Sequence, residues 1–154
     1  MDRVKKRERS HIMSRVRSKE NRTTELFLRA LLIRSSIRGW KVRPTHVLGK
    51  PDFVFSKERI AVFVDGAFWH GAPDFKRFPK SRIEYWRPKI EGNRRRDGIV
   101  SSRLRHQGWA VLRFWDFDLH DNSCSIISKI QKTVQRRGRA YLAKRRRLHP
   151  SAHA

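Results

Sequence analysis

The sequence predicts one α/β domain in which a sheet is layered with helices. Its apolar pattern predicts elements in the order helix, three strands, helix, strand, helix, an alternation typical of layered α/β folds. A length of 154 residues suits one domain. Although 34% of the residues are charged, 5 Trp, 9 Phe and 2 Tyr are enough to build a core.

The first helix follows the polar stretch 21–25, after which apolar residues recur at the spacing of one helical face. Short segments rich in aromatic and β-branched residues predict strands at 40–43, 52–55 and 60–64. Because only residues 56–59 separate the last two strands, we expect those strands to pair as a hairpin.

Glycine and proline residues predict an irregular segment from 67 to about 82. A helical pattern follows through 86–104 and ends before Gly108. Residues 109–115 predict a fourth strand, and a last helix is expected to begin at Ser123.

Basic residues are concentrated at both ends of a chain whose net charge is +24. Residues 1–22 hold nine basic and three acidic residues (+6), 136–154 hold seven and none (+7), and 23–135 hold 22 and 11 (+11). We expect a basic N-terminal arm, a folded domain and a flexible basic tail with these three boundaries. Such charge favours nucleic acid as the partner, while a merely solubilising role is the alternative for the tail.

A single cysteine, Cys124, excludes an intramolecular disulfide and a multi-cysteine zinc site. No apolar run approaches the roughly 20 residues that a membrane span needs, and the basic N-terminus lacks the apolar core of a signal peptide. We therefore expect a reducing, cytoplasmic setting at the nucleoid and no membrane partner.

Two aspartates flank the predicted hairpin. Asp52 opens one strand and Asp65 follows the other, so the register decides whether their carboxylates meet at one end of the sheet. Carboxylates gathered there suit Mg²⁺, which prefers oxygen ligands and can polarise a phosphodiester, and both residues are candidate metal ligands. The alternative is that each aspartate only marks a turn, since Asp-Gly is a common turn pair.

A polar pair lies within the apolar face of the predicted helix 86–104. Asn93 and Asp97 are four residues apart and so share a face. His70, in the irregular segment, could act as a general base that Asp97 orients. The alternatives are an aspartate paired with a neighbouring arginine such as Arg94, and a histidine that is simply exposed.

Bulky aromatics surround His70 in this irregular region: Phe68 and Trp69 precede it, and Tyr85 and Trp86 follow. In a basic protein such side chains can stack on bases or wedge between them. They can equally well fill a small core.

Two segments, GKPDFVF at 49–55 and AVFVDGAFWHG at 61–71, carry a family resemblance. Shorter matches lie on both sides, so that the chain resembles the Vsr-type very-short-patch mismatch repair endonucleases from about residue 9 to 119. The resemblance implies a restriction-endonuclease-like core, with a central mixed sheet flanked by helices. It also implies a Mg²⁺-dependent nick in one DNA strand beside the thymine of a T:G mismatch.

By position, the resemblance implies that Asp52 and the backbone carbonyl of Val64 ligate the metal. It implies that His70 activates water and that Asp97 supports this histidine. Glu25 falls where the family has another acidic site residue.

The resemblance also implies the DNA contacts. Residues 9–22 would form an arm that lies on the DNA, and mismatched double-stranded DNA would be the substrate of a monomeric enzyme. Mismatch-repair proteins are candidate partners. The expected wedge that opens the duplex is Phe68, Trp69 and Trp86, and the expected DNA-binding residues are Arg15, Arg17, Lys19 and Asn93.

One family feature is missing from this sequence. Family members typically carry a structural zinc, whose ligand positions fall here at Ala67, Ala72, Asp74 and Phe117. These residues are poor zinc ligands and Cys124 alone cannot replace them, so we expect no zinc. We expect Ala67 and Phe117 to close the space with an apolar contact.

Two rival functions stay open at this point. A zinc-free relative could nick matched DNA, or DNA with another lesion. A basic DNA- or RNA-binding protein with a decayed site is the other rival, although binding alone would need none of Asp52, His70 and Asp97.

Overall fold

The computed structural model describes residues 22–72 and 83–148. The elements in these ranges are, in chain order, α1 (22–34), β1 (Trp40–Val42), β2 (Phe53–Phe55), β3 (Ile60–Asp65), α2 (Ala67–His70), α3 (Ile83–His106), β4 (Ala110–Trp115), α4 (Asp118–Asp121) and α5 (Ser123–Leu148).

The four strands form one mixed sheet in the order β1-β2-β3-β4. The first two pairings are antiparallel, so β2 and β3 form the predicted hairpin. β3 and β4 are parallel because α3 crosses over between them and returns the chain to the same end. The start of β2 and the ends of β3 and β4 therefore lie together, at what we call the carboxyl end. The opposite end, with the turn at 56–59 and the start of β4, is the hairpin end.

Helices cover both faces of the sheet, which confirms the predicted α/β layering. Phe53 and Phe55 of β2 point into a core shared with α1, α4 and α5. Val54, between them, points to the other face and packs with Leu104 of α3. This alternation fixes the strand register and hence the position of Asp52 at the carboxyl end.

The segment expected to be irregular from residue 67 onward begins instead with the single turn of α2. Gly71 ends this turn in the left-handed conformation (φ 64°), and its N–H caps the carbonyl of Ala67. A Cβ at Gly71 would lie 2.6 Å from Cγ2 of Ile90, so glycine is required by space as well as by conformation. Residues 73–82 lie outside the described ranges.

The C-terminal boundary expected at 135/136 falls inside a helix. α5 continues through Leu148, so residues 136–148 are helical. We expected these residues to begin a flexible tail. Arg137 explains part of this continuation, because its guanidinium donates to the carbonyls of Glu58, at 2.6 Å, and of Gly108. Within the described ranges no helix combines the length and apolar character needed to cross a membrane.

Candidate active site

The carboxyl end of the sheet brings together four of the residues singled out from the sequence. Asp52 stands before β2, Asp65 ends β3, His70 ends α2, and Asp97 reaches them from the middle of α3. The arm residues Arg15, Arg17 and Lys19 lie outside the described ranges.

Asp52 is held by the neighbouring strand. One of its carboxylate oxygens, Oδ2, accepts a hydrogen bond from the backbone N–H of Val64 at 2.7 Å. Burial raises the pKa of Asp52 to about 6, with smaller upward contributions from the charges of Asp65 and Glu25. The Val64 hydrogen bond and the charge of Arg43 act in the opposite direction and do not cancel the effect of burial. Asp52 is therefore a carboxylate whose charge the fold alone does not fully compensate.

Glu25 adds a second carboxylate to this region from α1. Its Oε2 lies 2.6 Å from Nε of Arg43, an ion pair in which the glutamate side chain is only 16% exposed. The pair lacks hydrogen-bond geometry, and this buried oxygen has no hydrogen-bond donor among the described residues. A buried acceptor without a donor is costly unless another cation or a water serves it. Carboxylate oxygens such as those of Asp52 and Glu25 are the ligand type that a hard divalent cation prefers.

His70 and Asp97 form a close pair across two helices. Nδ1 of His70 lies 2.5 Å from Oδ2 of Asp97. An ionised Asp97 fixes the histidine tautomer with its proton on Nδ1, which leaves the lone pair of Nε2 to accept another proton. The pair confirms that the two residues meet and excludes a simple solvent-exposed histidine.

Arg113 joins Asp97 of this pair to Asp65. Its guanidinium binds Asp65 through both Nε and Nη2, each at 2.6 Å, and its Nη2 lies 2.9 Å from Oδ1 of Asp97. Burial alone would lower the pKa of Arg113, but the hydrogen bonds and charges of Asp65 and Asp97 hold that pKa above its ordinary value. The result is a fixed cation behind the His70–Asp97 pair.

This arrangement differs from the metal-ligand role considered for Asp65. Donor atoms of Asp65, His70 and Asp97 lie within 4.8 Å of one another, a spacing that a metal could use. However, both oxygens of Asp65 are already engaged by Arg113. We therefore assign Asp65 to the positioning of Arg113 instead of to metal ligation.

Arg113 was not identified as a site residue from the sequence. The available signal was an arginine within the apolar strand 109–115, because a charge in a buried strand needs a partner. Its partners are 48 and 16 positions away for Asp65 and Asp97, so the sequence alone did not name them.

Asn93 holds α2 in place. Its side-chain N–H₂ donates to the backbone carbonyl of Trp69 at 2.8 Å, and its Oδ1 accepts from Arg96 at 3.2 Å. As predicted, Asn93 and Asp97 share the face of α3 that meets the site. The amide is engaged with the backbone next to His70, so the structure gives Asn93 a positioning contact where DNA binding was expected.

An aromatic cluster, made of Phe68, Trp69, Tyr85 and Trp86, lies beside His70. Phe68, Trp69 and Trp86 meet edge to face, with ring centroids 4.9 to 5.9 Å apart. These three side chains are half-buried, and Tyr85 is 40% exposed. None of the four belongs to either hydrophobic core of the described residues. The cluster is therefore a surface feature next to the site and not a plug of the core.

The positions where the resemblance implies zinc ligands are joined by a carboxylate. Oδ1 of Asp116 accepts hydrogen bonds from the backbone N–H of Ala67 at 3.2 Å and of Phe117 at 2.9 Å. Ala67 and Ala72 are buried, and Phe117 stacks on Trp115 with its side chain 38% exposed. The connection seen here is polar, where we expected an apolar contact between Ala67 and Phe117. These three side chains offer no ligand atom and do not fit zinc; Asp74 lies outside the described ranges.

Comparisons with known proteins identify relatives of this chain. A family model described as DNA mismatch endonuclease Vsr matches residues 1–76. The type II nicking enzyme V.NmeDIP of Neisseria meningitidis serogroup C is 39% identical over 137 residues, which cover 88% of this chain and 91% of that protein. V.XorIIP, a type II nicking enzyme of Xanthomonas oryzae pv. oryzae, is 40% identical over 121 residues, or 78% and 88% of the two chains. DNA mismatch endonuclease Vsr of Escherichia coli K12 is 37% identical over 78 residues, 50% of each chain.

Proposed function

The chain belongs to the Vsr family of DNA mismatch endonucleases, and from this membership we propose that it nicks one strand of duplex DNA at T:G mismatches with Mg²⁺ as cofactor. The protein is accordingly a DNA endonuclease with a restriction-endonuclease-like α/β fold. Its mismatch specificity, its metal and the roles of its side chains are parts of the proposal.

The observation that carries the proposal is the contact between His70 and Asp97 at the end of the sheet that also carries Asp52. Hydrolysis of a phosphodiester needs a base for the attacking water and compensation for charge on the phosphate. In our proposal Nε2 of His70 takes a proton from water while the water oxygen bonds to phosphorus and one P–O ester bond breaks. Asp97 stabilises the imidazolium that forms, and Arg113 keeps Asp97 oriented.

Asp52 and Glu25 would hold the Mg²⁺ ion, together with the backbone carbonyl of Val64 that the family resemblance implies. The ion, when bound, would polarise the phosphate and stabilise its developing charge. The raised pKa of Asp52 supports this role, because a divalent cation would compensate the charge of its buried carboxylate. Asp65 is not needed as a ligand in this scheme.

The aromatic cluster beside His70 supports action on a mismatch. Phe68, Trp69 and Trp86 present half-buried aromatic rings next to the base that activates water. Flat apolar side chains that enter a base step cost a few kcal/mol of stacking, and a mispaired step costs least to open. We therefore assign the cluster to opening the duplex beside the T:G pair.

The proposal also sets the surroundings of the enzyme. We also propose that the enzyme acts as a monomer. Its substrate would be chromosomal DNA in the cytoplasm, where mismatch-repair proteins are candidate partners.

A panel of end-labelled duplexes tests the proposed substrate. The duplexes share one length and differ only in carrying a T:G mismatch, a matched T:A pair or another lesion, each with and without Mg²⁺. We expect nicking of the T:G duplex that requires the metal. Equal nicking of the matched duplex would replace mismatch specificity with the rival nickase, and tight binding without any nicking would support the DNA-binding rival.

A further inference from the structure

A second feature of the molecule lies at the hairpin end, away from the site described above. Two adjoining grooves run along α5, one of about 760 Å³ against β4 and one of about 1120 Å³ against the turn at 56–59. Both grooves are lined by Arg136 and Arg137, so they form one continuous surface. We call this surface the hairpin-end groove.

The hairpin-end groove is strongly basic. Glu58 is its one carboxylate among the described residues. α5 itself carries no acidic residue anywhere along its 26 residues. The cations that line the groove come from α3, the hairpin turn and α5: Arg105, Lys57, Arg59, Lys129, Lys132, Arg136, Arg137, Lys144 and Arg145.

The groove is held in shape by contacts within the fold. The guanidinium of Arg137 donates to the backbone carbonyls of Glu58 and Gly108, which fixes α5 against the end of the sheet. Across the groove, Nζ of Lys57 lies 5.5 Å from the ring centroid of Tyr141. The other cations of α5 in this region are exposed, including Lys132, Arg136 and Lys144. A preformed groove with exposed cations can bind an anion without first being ordered.

Its position separates the groove from the catalytic residues. Ile60 and Asp65 mark the two ends of β3, which lie roughly 17 Å apart at the usual rise of a strand. The groove extends from the hairpin turn along β4 as far as Leu112, which pairs with Val62, whereas the proposed active site lies around Asp65 at the other end of β3. The groove and the proposed active site therefore lie towards opposite ends of the sheet.

The spread of cations along α5 identifies the class of ligand. The cations of α5 that line the groove run from Lys129 to Arg145, which spans about 24 Å of helix. Single small anions would use only a fraction of the nine cations. A long polyanion with regularly spaced phosphates would use most of them, and such binding carries no sequence information.

We propose that the hairpin-end groove binds the sugar-phosphate backbone of duplex DNA at a site separate from the nick. The surface increases residence on DNA without taking part in hydrolysis. Binding here is a property of the charge on α5 and the hairpin turn, so it does not depend on the proposed cleavage reaction.

The test compares two variants with the same loss of charge. The groove variant carries Lys132→Gln, Arg136→Gln, Lys144→Gln and Arg145→Gln, and the control variant carries Arg34→Gln, Arg38→Gln, Lys41→Gln and Arg103→Gln. All eight side chains are exposed, and the four of the control lie outside the groove. Binding of the full chain to a matched 30-base-pair duplex is measured by fluorescence anisotropy across a salt series without divalent metal, so that no cleavage occurs.

We expect the slope of log affinity against log salt to become shallower by about 2 to 4 in the groove variant, at roughly 0.9 for each lost phosphate contact. The control variant should change the slope by less than half of that amount. Equal slopes for the two variants would overturn the proposal. The proposal would also be overturned if single-stranded RNA or polyglutamate competed as well as duplex DNA, because the surface would then not be specific for duplex DNA.

Two further variants guard against an effect of misfolding. Lys57→Glu reverses one charge on the opposite wall of the groove, and Lys41→Glu is its control outside the groove. Lys57→Glu should weaken binding at least threefold more than Lys41→Glu, with unchanged melting temperatures, and equal affinities would contradict the proposal. If the groove residues bind DNA while the wild-type enzyme nicks none of the substrates, only the proposed function fails.

Discussion

The guanidinium of Arg113 lies 2.9 Å from the same Asp97 carboxylate whose other oxygen contacts His70 at 2.5 Å. One carboxylate thus joins a fixed cation to the proposed base. Asp65 accepts two hydrogen bonds from the same guanidinium, one from Nε and one from Nη2. The orientation of His70 consequently depends on a strand residue that would not itself touch the substrate.

Replacing Arg113 by methionine should slow the nicking step without abolishing DNA binding. Asp97 would lose its fixed partner, and residues that orient a functional group typically contribute 10–100-fold, so we expect a fall of about that size in the single-turnover rate. Arg113→Lys should recover part of the rate, because a lysine can reach one aspartate but cannot bind both in a fork. A methionine variant with the wild-type rate would remove Arg113 from the mechanism, and a parallel loss of DNA affinity would point to misfolding.

Asp97→Asn should impair the base without removing it. An asparagine can hold His70 in the wrong tautomer, so we expect a loss of roughly 10²–10⁴-fold in the nicking rate, similar to His70→Ala. The measurement is single-turnover nicking of the T:G duplex at saturating enzyme. Because the two residues act as one unit, the double variant should be little slower than either single variant. Additive losses would show that they act separately.

Replacing Asp52 by asparagine should raise the stability of the protein and abolish its activity. Its pKa in the folded chain is about 6, against an ordinary value of 3.8, so the folded state binds more protons than the unfolded state between these values. Without divalent metal, stability contributed by the protonated carboxyl is present below pH 4 and lost as pH rises through 6. The free energy of unfolding of Asp52→Asn should therefore exceed that of wild type at pH 8, by up to about 3 kcal/mol.

The same Asp52→Asn variant should have no detectable nicking activity in Mg²⁺. Thermal unfolding at pH 4 and pH 8, with EDTA present, checks the stability effect, and at pH 4 the two proteins should differ little. A variant less stable than wild type at pH 8 would contradict the raised pKa. Full activity would contradict metal binding by Asp52.

The aromatic cluster should govern which DNA is cut more than how fast the bond breaks. Trp86→Ala removes a ring that contacts both Phe68 and Trp69. We expect the preference for T:G over matched DNA to fall at least tenfold, consistent with about 1–3 kcal/mol per stacked base. Phe117→Ala, which removes an exposed ring stacked on Trp115, is the control and should keep the preference. An unchanged preference in Trp86→Ala would place mismatch selection elsewhere.

Asp116 should stabilise the start of α2 in place of a metal. Its carboxylate accepts from the backbone of Ala67 and of Phe117, so Asp116→Ala should cost about 1–3 kcal/mol by leaving two N–H groups unserved. Asp116→Asn keeps an acceptor oxygen and should retain most of the stability. Metal analysis of the purified protein should find no stoichiometric zinc. A zinc content of one per chain would contradict this account of the α2 region.

Much of the fold follows from local patterns. The strands at 40–43, 52–55, 60–64 and 109–115 were predicted within a few residues of β1 to β4, because alternating and β-branched residues mark them. The start of α5 at Ser123 was predicted for similar reasons. Single-turn helices such as α2 and α4 have no periodicity to detect, so the segment at 67–70 was expected to be irregular.

Site residues could be predicted from the sequence where they lie in a recognisable motif or on one helical face. His70 and Asp97 meet as the sequence predicts, and the hairpin register places Asp52 at the same end of the sheet as Asp65. Arg113 could not be identified in the same way, because its role depends on contacts with Asp65 and Asp97, which lie on other elements. The role of Asp65 changed for the same reason: only the folded chain shows that both of its oxygens are occupied.

The most direct test of the central claim is single-turnover nicking of a T:G duplex whose two strands carry different labels, with wild type, His70→Ala and Asp52→Asn compared in Mg²⁺. We predict that wild type cuts only the strand that carries the thymine. Both variants should bind the duplex but nick it at least a hundredfold more slowly. Cleavage of either strand at equal rates, or activity that survives both substitutions, would contradict the claim that the His70–Asp97 pair and Asp52 form the nicking site.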